Sequence, residues 1–418
     1  MGEMTGRPIE IDVTNIAHGG VSVARYDGRV VFVADAIPGE RVIARVTEDS
    51  KKSFWRAETL LVLTPSEHRQ HHVWSAASID RDPTDRAGGA EFGHIALSHQ
   101  RELKRRVLTE ALQRMAGVQT DVVVEALEGD DERSGTGWRT RVRLHIDESG
   151  RPGPYAARSH RVIPVTELPL ATDELSAQAP LGQEFSGVDH VDVLNPSSGG
   201  VRLIVGQQKG QQKGSQKPTT ITEVVGDREF RLADGGFWQV HRSAATTLTA
   251  AVQEAIDPDL FEPSAANLDL YGGVGLLAAA VGDRFGPGIH ITSVESDARA
   301  TEYAASNLAE WDGATAATGR VEHWVRSLAA SASASERARL AEGTVILDPP
   351  RSGAGRDVVD SVVALSPAQV VYVACDPVAF ARDVGLFAER GYTLSGLRAF
   401  DLFPNTHHVE AVGTLRRA

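Results

Sequence analysis

Residues 269–275 read Asp-Leu-Tyr-Gly-Gly-Val-Gly (DLYGGVG). The first three of them end a largely apolar stretch, Asn267–Tyr271, that has the character of a buried strand. A helical pattern, Val274–Val281, follows at once. Glycines between a strand and a helix let a ligand approach the backbone closely. The segment therefore predicts a strand, a tight glycine turn and a helix, with a ligand bound at the turn.

The same alternation continues on the carboxyl side of this segment. Apolar strands are expected at His290–Glu295, Gly343–Leu347 and Val370–Cys375. Helices are expected after them, at Ala298–Trp311, Asp357–Leu365 and Val378–Arg390, and a hairpin of Tyr392–Phe400 and His408–Arg416 closes the chain. Alternating strands and helices predict a doubly wound, Rossmann-like α/β domain over residues 233–418, which binds ligands at the carboxyl ends of its strands.

The second strand end carries a carboxylate, Glu295, 22 residues after Gly273. A carboxylate at this place can accept both hydroxyls of a ribose. The glycine pattern is not GxGxxG, which disfavours a pyrophosphate dinucleotide. A nucleoside cofactor without phosphates, S-adenosylmethionine, fits the pattern better.

Three more strand ends carry candidate chemistry. Asp348 opens Asp-Pro-Pro-Arg-Ser-Gly, where two prolines make a rigid turn. Cys375 is the only cysteine of the chain and precedes a predicted helix. The N-terminus of that helix would lower the pKa of the thiol, whereas the charge of Asp376 would raise it, and which effect prevails is open. Glu410 is the candidate for acid–base work. The neighbouring His407 and His408 have no second cluster at ligand spacing, so no metal is expected.

The first 63 residues predict a small barrel. Ile9, Ile11 and Val13 alternate with polar residues, and five short strands separated by turn residues are expected within this stretch. That number of strands in so short a segment favours an OB-like β-barrel, a fold that often binds oligonucleotides. A purely structural barrel is the alternative.

Residues 64–232 predict a central α+β domain. A basic helix is expected at Ser98–Ala116, and Trp138–Ile146 alternates like a strand. Residues 133–161 are rich in arginine, and 206–215 (GQQKGQQKGS) have low complexity, as in a flexible loop or hairpin tip. Solvated faces are the alternative interpretation of these basic stretches.

Composition excludes several classes of protein. The chain has 418 residues, 43 basic and 56 acidic, for a net charge of −13, which argues against a non-specific nucleic-acid binder. One cysteine excludes a disulfide framework. No apolar run is long enough to span a membrane and no signal-peptide core is present, so we expect a soluble cytoplasmic monomer.

The motifs DLYGGVG, VES, LDPPRSG, YVACDP and FPNTHHVE, in this order, resemble the RNA uracil-5 methyltransferases. Residues 8–63, with GRVVFV and IPGE, resemble the TRAM barrel of that family, and Gly235–His241 (GGFWQVH) resembles its FFQVN segment. The resemblance implies a class I methyltransferase domain that uses S-adenosylmethionine to make 5-methyluridine in transfer or ribosomal RNA.

The resemblance also implies roles for individual residues. Cys375 would be the nucleophile and Glu410 the base. The barrel and the arginine-rich region would hold the RNA, and the 98–116 helix is expected to dock on the catalytic domain. The residues implied to bind the cofactor, together with the glycine turn, are Gln239, Tyr271, Gly273, Glu295 and Asp348.

The sequence departs from the family at several positions. Many relatives bind an iron–sulfur cluster through four cysteines, but Ala87–Ala90 replaces their CGGC and Leu168 the last cysteine, so no cluster is expected. Asp376 stands where the family usually has Asn beside the nucleophile. Leu276 stands where the family often has a polar residue that contacts the cofactor. Two alternatives stay open: a non-catalytic RNA-binding or folding factor, and a methyltransferase acting on an amino nitrogen, which would need no thiol.

Overall fold

The computed structural model describes residues 3–51, 53–206 and 219–417 of the chain. The low-complexity stretch from 207 to 215 lies outside them. The amino-terminal strands form a closed barrel in the order β1-β2-β3-β5-β4, and β1 pairs with β4 to close it. The expected OB-like barrel is therefore confirmed. Its strands are β1 (Pro8–Ala17), β2 (Val21–Tyr26), β3 (Arg29–Ala34), β4 (Arg41–Glu48) and β5 (Phe54–Thr64).

Alternating burial explains why these strands close on themselves. In β1 the side chains of Ile9, Ile11 and Val13 are buried and their neighbours are exposed, as the sequence period requires. Two arginines, Arg86 buried and Arg69 partly exposed, then fix the barrel to the next part of the chain. Arg69 pairs with Glu40 at 2.6 Å, and Arg86 pairs with Asp35 at 2.7 Å.

The middle of the chain contributes elements to several layers. After two short 3-10 turns, Ser75–Ala77 and Pro83–Asp85, it forms a four-stranded sheet in the order β10-β9-β7-β8 and a separate β11-β12 hairpin. Its elements are α1 (Leu97–Ala116), β6 (Val124–Glu125), β7 (Arg141–Ile146), β8 (Pro152–Gly153), α2 (Asp173–Gln178), β9 (His190–Leu194), β10 (Arg202–Val205), β11 (Thr220–Val225) and β12 (Arg228–Ala233).

The last part of the chain has the expected alternation of strands and helices. Its strands are β13 (Asn267–Leu270), β14 (Ile291–Glu295), β15 (Ala314–Thr318), β16 (Thr344–Leu347), β17 (Gln369–Ala374), β18 (Tyr392–Phe400) and β19 (Glu410–Arg417). Its helices are α3 (Ala244–Ala255), α4 (Leu276–Phe285), α5 (Ala298–Asn307), α6 (Val321–Ser331), α7 (Ala334–Ala341), α8 (Gly355–Leu365) and α9 (Pro377–Ala388).

These strands form one eight-stranded sheet in the order β15-β14-β13-β16-β17-β19-β18-β6. Strands β13 to β17 are parallel, and β19 is antiparallel to both its neighbours. The strand order reverses between β13 and β16, and a doubly wound sheet binds its ligand at such a reversal. Every residue of β16 and β17 is buried because helices cover both faces.

Two elements from before residue 233 pack into this last part of the fold. Helix α1 lies on α9, and its Leu108 and Leu112 belong to the same hydrophobic cluster as the central strands. The hairpin packs on α5, where Thr220 hydrogen-bonds Tyr303 at 2.7 Å. The central region is therefore continuous with the eight-stranded sheet in its packing.

Apolar contacts hold the loop where relatives carry cluster cysteines. Ala87, Ala90 and Leu168 are all buried, in one hydrophobic cluster with Trp74 and Trp138. Hydrophobic burial is thus one force that stabilises this loop. No helix in the described part of the chain is long and apolar enough to cross a membrane.

The structure differs from the sequence expectations in small ways. The last strand begins at Glu410 and not at His408, because a loop that α1 holds precedes it. Strand β15 and helices α3, α6 and α7 were not expected. Strand β15 (ATAAT) lies at the sheet edge without a fully buried residue, so it lacks an apolar pattern.

Candidate functional site

A cavity of about 1330 Å³ opens at the carboxyl ends of the parallel strands. All seven residues singled out in the sequence lie on its wall, although the first and the last are 171 positions apart in the chain. They are Gln239, Tyr271, Gly273, Glu295, Asp348, Cys375 and Glu410.

The glycine turn after β13 forms one side of this cavity. A Cβ atom at Gly272 would lie 2.0 Å from Ser293 Oγ, so only glycine fits there. Gly273 has a φ of +55° and open space where a side chain would point. Tyr271 also has a positive φ, +67°, which is unusual for a residue with a side chain and is typical of functional turns.

Glu295 ends β14 beside this turn. One of its carboxylate oxygens accepts a hydrogen bond from the backbone N–H of Gly273 at 3.2 Å, and the other accepts from the N–H of Asp297 at 2.9 Å. The carboxylate is therefore fixed at the lip of the cavity. In this position it can accept hydrogen bonds from the two hydroxyls of a ribose.

Gln239 reaches the cavity from the segment that follows β12. The central region positions this segment, because the N–H of Thr140 donates to the carbonyl of Val240 at 2.8 Å. Next to it, His241 Nε2 lies 3.1 Å from Asp130 and its ring stacks on Trp138. Gln239 thus depends on contacts across about 100 residues of sequence.

Cys375 lies just beyond the end of β17, and Asp376 caps α9. The Asp376 carboxylate accepts from the N–H groups of Val378 at 3.0 Å and Ala379 at 2.8 Å. These donors at the start of the helix therefore serve Asp376 and not the thiol. Burial, and then the nearby charges of Glu410 and Asp348, raise the pKa of Cys375 to about 12. The charge of Asp376 adds to this rise, so its effect on the thiol is in the direction expected from the sequence.

Asp348 lies close enough to Glu410 for its charge to influence that carboxyl group. Burial and then the charge of Asp269 raise the pKa of Asp348 to about 7. Burial and then the charge of Asp348 raise the pKa of Glu410 well above its usual value. A buried acid that keeps its proton near neutral pH is typical of an acid–base site.

The loop between β18 and Glu410 is held from α1. Lys104, fully buried, donates to Asp401 at 2.5 Å and to the carbonyl of Phe403 at 3.0 Å. Gln100 donates to Asn405 Oδ1 at 2.9 Å and accepts from the backbone N–H of Asn405 at 2.8 Å. Helix α1 therefore fixes the loop that leads into Glu410.

Some cavity residues escaped the sequence reasoning. Arg139 lies at the wall, where its Nε donates to the carbonyl of Arg141 at 3.0 Å and its guanidinium lies over Trp138. Arg351 lines the same wall, and its charge lowers the pKa of Cys375. The arginine-rich stretch was the one available signal for Arg139, and nothing in it distinguishes this arginine from its neighbours.

The donor set fits a nucleoside cofactor without phosphates. The glycine side of the cavity offers a fixed carboxylate for a ribose and apolar surface from Val274, Phe237 and Val321 for a base. The same cavity is also lined by the Cys375 thiol, the half-buried Asp348 and the buried Glu410. Fold and cavity together fit a methyltransferase of the doubly wound α/β class, with a thiol and two carboxyl groups in the same cavity as the glycine turn.

Comparisons with known proteins specify the family. A sequence model of tRNA (Uracil-5-)-methyltransferase matches residues 335–418, and a model of the TRAM domain matches residues 2–57. An uncharacterized RNA methyltransferase of Streptomyces avermitilis is 35% identical over 99% of both chains. One of Streptomyces coelicolor is 36% identical over 99% of this chain and 94% of its own.

A solved structure shows the same fold along nearly the whole chain. This structure is a Pyrococcus abyssi tRNA (uracil-54, C5)-methyltransferase in complex with S-adenosyl-L-homocysteine, and it matches with a TM-score of 0.68 at 21% identity. The match covers 97% of this chain and 99% of that chain. The chain belongs to the uracil-5 methyltransferase family of S-adenosylmethionine-dependent RNA methyltransferases.

Proposed function

We propose that this enzyme transfers a methyl group from S-adenosylmethionine to carbon 5 of a uridine in transfer or ribosomal RNA, through a covalent adduct with Cys375. The observation that supports the proposal most is the meeting of Cys375 and Glu410, from neighbouring strands, in one cavity with Asp348. A methyltransferase acting on an amino nitrogen has no use for a thiol at this place.

The chemistry of uracil explains the residue types. Carbon 5 of uracil is a poor nucleophile. Addition of the Cys375 thiolate to carbon 6 places electron density on carbon 5, which then takes the methyl group. S-adenosylmethionine supplies that group in an electrophilic form when bound. This is nucleophilic catalysis, which divides one difficult step into easier ones.

Glu410 completes the cycle. After methylation, carbon 5 still carries its proton, and Glu410 removes it as general base. The electron pair of that C–H bond restores the double bond between carbons 5 and 6, and the thiolate leaves. Gln239, Tyr271, Gly273, Glu295 and Asp348 bind and orient the cofactor.

Access to carbon 6 requires the uracil to be unstacked. A paired base hides this atom, so the RNA must present a single-stranded or flipped uridine. The barrel and the arginines of the central region are the surfaces that we assign to the RNA, through phosphate contacts that position it.

Nucleoside mass spectrometry of RNA tests the proposal. Unmodified transfer and ribosomal RNA are incubated with the cofactor and either native protein, Cys375→Ala or Glu410→Gln. We expect 5-methyluridine with native protein and none with Cys375→Ala, which should still bind the cofactor. We expect Glu410→Gln to lose about 10²–10⁴-fold in turnover and to accumulate a protein–RNA adduct.

The other outcomes separate the alternatives. Normal turnover by Cys375→Ala would refute the covalent mechanism, and a methylated amino group on the RNA would indicate the nitrogen methyltransferase. No product from either RNA, with cofactor binding intact, would favour the non-catalytic RNA-binding factor.

A further inference from the structure

A second group of side chains meets at the wall of the cavity, apart from the thiol and its acids. Glu91 from the loop after the barrel approaches His407 and His408 from the loop before β19. One donor atom from each of these three residues lies within 4.8 Å of the other two. The sequence separates Glu91 from the histidines by more than 300 residues, so folding alone creates the cluster.

The donors of this cluster are accessible and of the right chemical type. Glu91 and His407 are each about one quarter exposed, at 28% and 22%. Glu91 accepts a hydrogen bond from His407 Nδ1. The His408 ring lies 4.0 Å from the His407 ring between centroids, tilted by 37°. No hydrogen bond of the His408 ring is found among the described residues. Its nitrogen lone pair is therefore available.

Two imidazoles and one carboxylate form a ligand set that suits zinc and similar ions. In tetrahedral sites with bonds of about 2.0–2.2 Å, ligand atoms lie about 3.4 Å apart. The three donor atoms lie within 4.8 Å of one another, and those of His407 and Glu91 are already in contact. Small side-chain rotations can therefore bring all three to the spacing of a tetrahedral site.

We propose that Glu91, His407 and His408 bind a divalent transition-metal ion of the zinc type at the wall of the cavity. The ion takes the place of the proton between Glu91 and His407, which moves to the other ring nitrogen or to solvent. Glu91 and His408 both line the cavity, so a fourth position of the ion faces its interior. That position is open to water or to an oxygen of the substrate.

This cluster is distinct from the place of the cysteines in relatives. Ala87 and Ala90 are buried in an apolar cluster, whereas Glu91, the next residue, turns toward the catalytic loop. The proposal does not depend on the methyl-transfer reaction, because it concerns side chains to which that mechanism assigns no role.

Zinc binding by the purified full-length protein tests the proposal. Metal-free protein is titrated with Zn²⁺ alone against a chromophoric chelator, and the absorption of a Co²⁺-loaded sample reports the ligand geometry. We expect one ion per chain and a visible cobalt band of tetrahedral intensity. Glu91→Gln and His407→Ala should each weaken binding at least about tenfold.

A matched histidine elsewhere provides the control. His323 is an exposed histidine on α6, and His323→Ala should bind zinc like native protein. Cofactor binding, measured by calorimetry, shows that each variant is folded. The proposal is wrong if native protein binds no more zinc than Glu91→Gln and His407→Ala do, or if His323→Ala loses binding equally.

Discussion

Burial favours the protonated forms of the ionisable side chains in the cavity. Cys375, Asp348 and Glu410 all have raised pKa values, because each would place a negative charge in the same water-poor space. Arg351 is the cation whose charge lowers the thiol pKa. In the proposed mechanism the nucleophile and the base must both lose a proton, so the reaction should be sensitive to pH.

We expect the single-turnover rate to rise with pH between about pH 6 and pH 9, by up to about tenfold per unit. The sign follows from the raised pKa values, since the active forms of Cys375 and Glu410 are the deprotonated ones. Quenched-flow measurements at saturating cofactor would show the profile. Cofactor affinity over the same range is the control, and a flat or falling rate would contradict the assignment.

At the scale of elements, α1 determines where the catalytic loop lies. Lys104 and Asp401 form a buried ion pair, and the second oxygen of Asp401 has no partner among the described residues. Gln100 adds two hydrogen bonds to Asn405, whose φ of +64° keeps the loop in a tight turn. The site therefore depends on a helix that precedes the catalytic sheet in the chain.

Lys104→Met should lower the free energy of unfolding by about 3–5 kcal/mol, because it leaves the Asp401 carboxylate buried and unpaired. Urea denaturation measures the loss. The double variant Lys104→Met/Asp401→Leu is the control and should recover most of it, since an apolar pair replaces the ion pair. Equal instability of the double variant would show that the pairing itself is not what stabilises the helix contact.

At the scale of the whole molecule, the barrel touches the candidate site. His18 in its first turn lies 3.2 Å from Asp376, which follows Cys375 in the chain. Gly20, in the same turn, packs so closely that a Cβ atom there would lie 2.8 Å from His407 Cβ. The first part of the chain and the last part thus share one interface at the cavity.

Gly20→Ala should separate this interface, while Gly19→Ala should not. Both glycines have positive φ, +72° and +85°, so both variants carry a backbone strain of about 1–2 kcal/mol. A Cβ atom added at Gly20 would meet neighbouring atoms within 4 Å, whereas one added at Gly19 would meet none. We expect Gly20→Ala to lose more turnover than Gly19→Ala in the nucleoside assay. Equal losses would mean that the barrel contact does not matter for catalysis.

Local patterns determined much of this protein. The period of two predicted the barrel, the alternation of apolar strands with helices predicted the doubly wound sheet, and the glycine turn marked the ligand edge. These features depend on residues that are near neighbours in the sequence. The pattern around residues such as Ile9, Gly272 and Cys375 is therefore enough to predict them. Strand β15 escaped because its alanines and threonines carry no such pattern.

Tertiary structure alone decided what meets across the chain. Folding brings Arg139 to the cavity wall. It also brings together residues about 300 positions apart in the chain, such as Lys104 with Asp401 and Glu91 with His407. Such contacts leave no periodic trace in the sequence. The pKa values of the cavity also belong to this level, because burial and neighbouring charges exist only after the strands have come together.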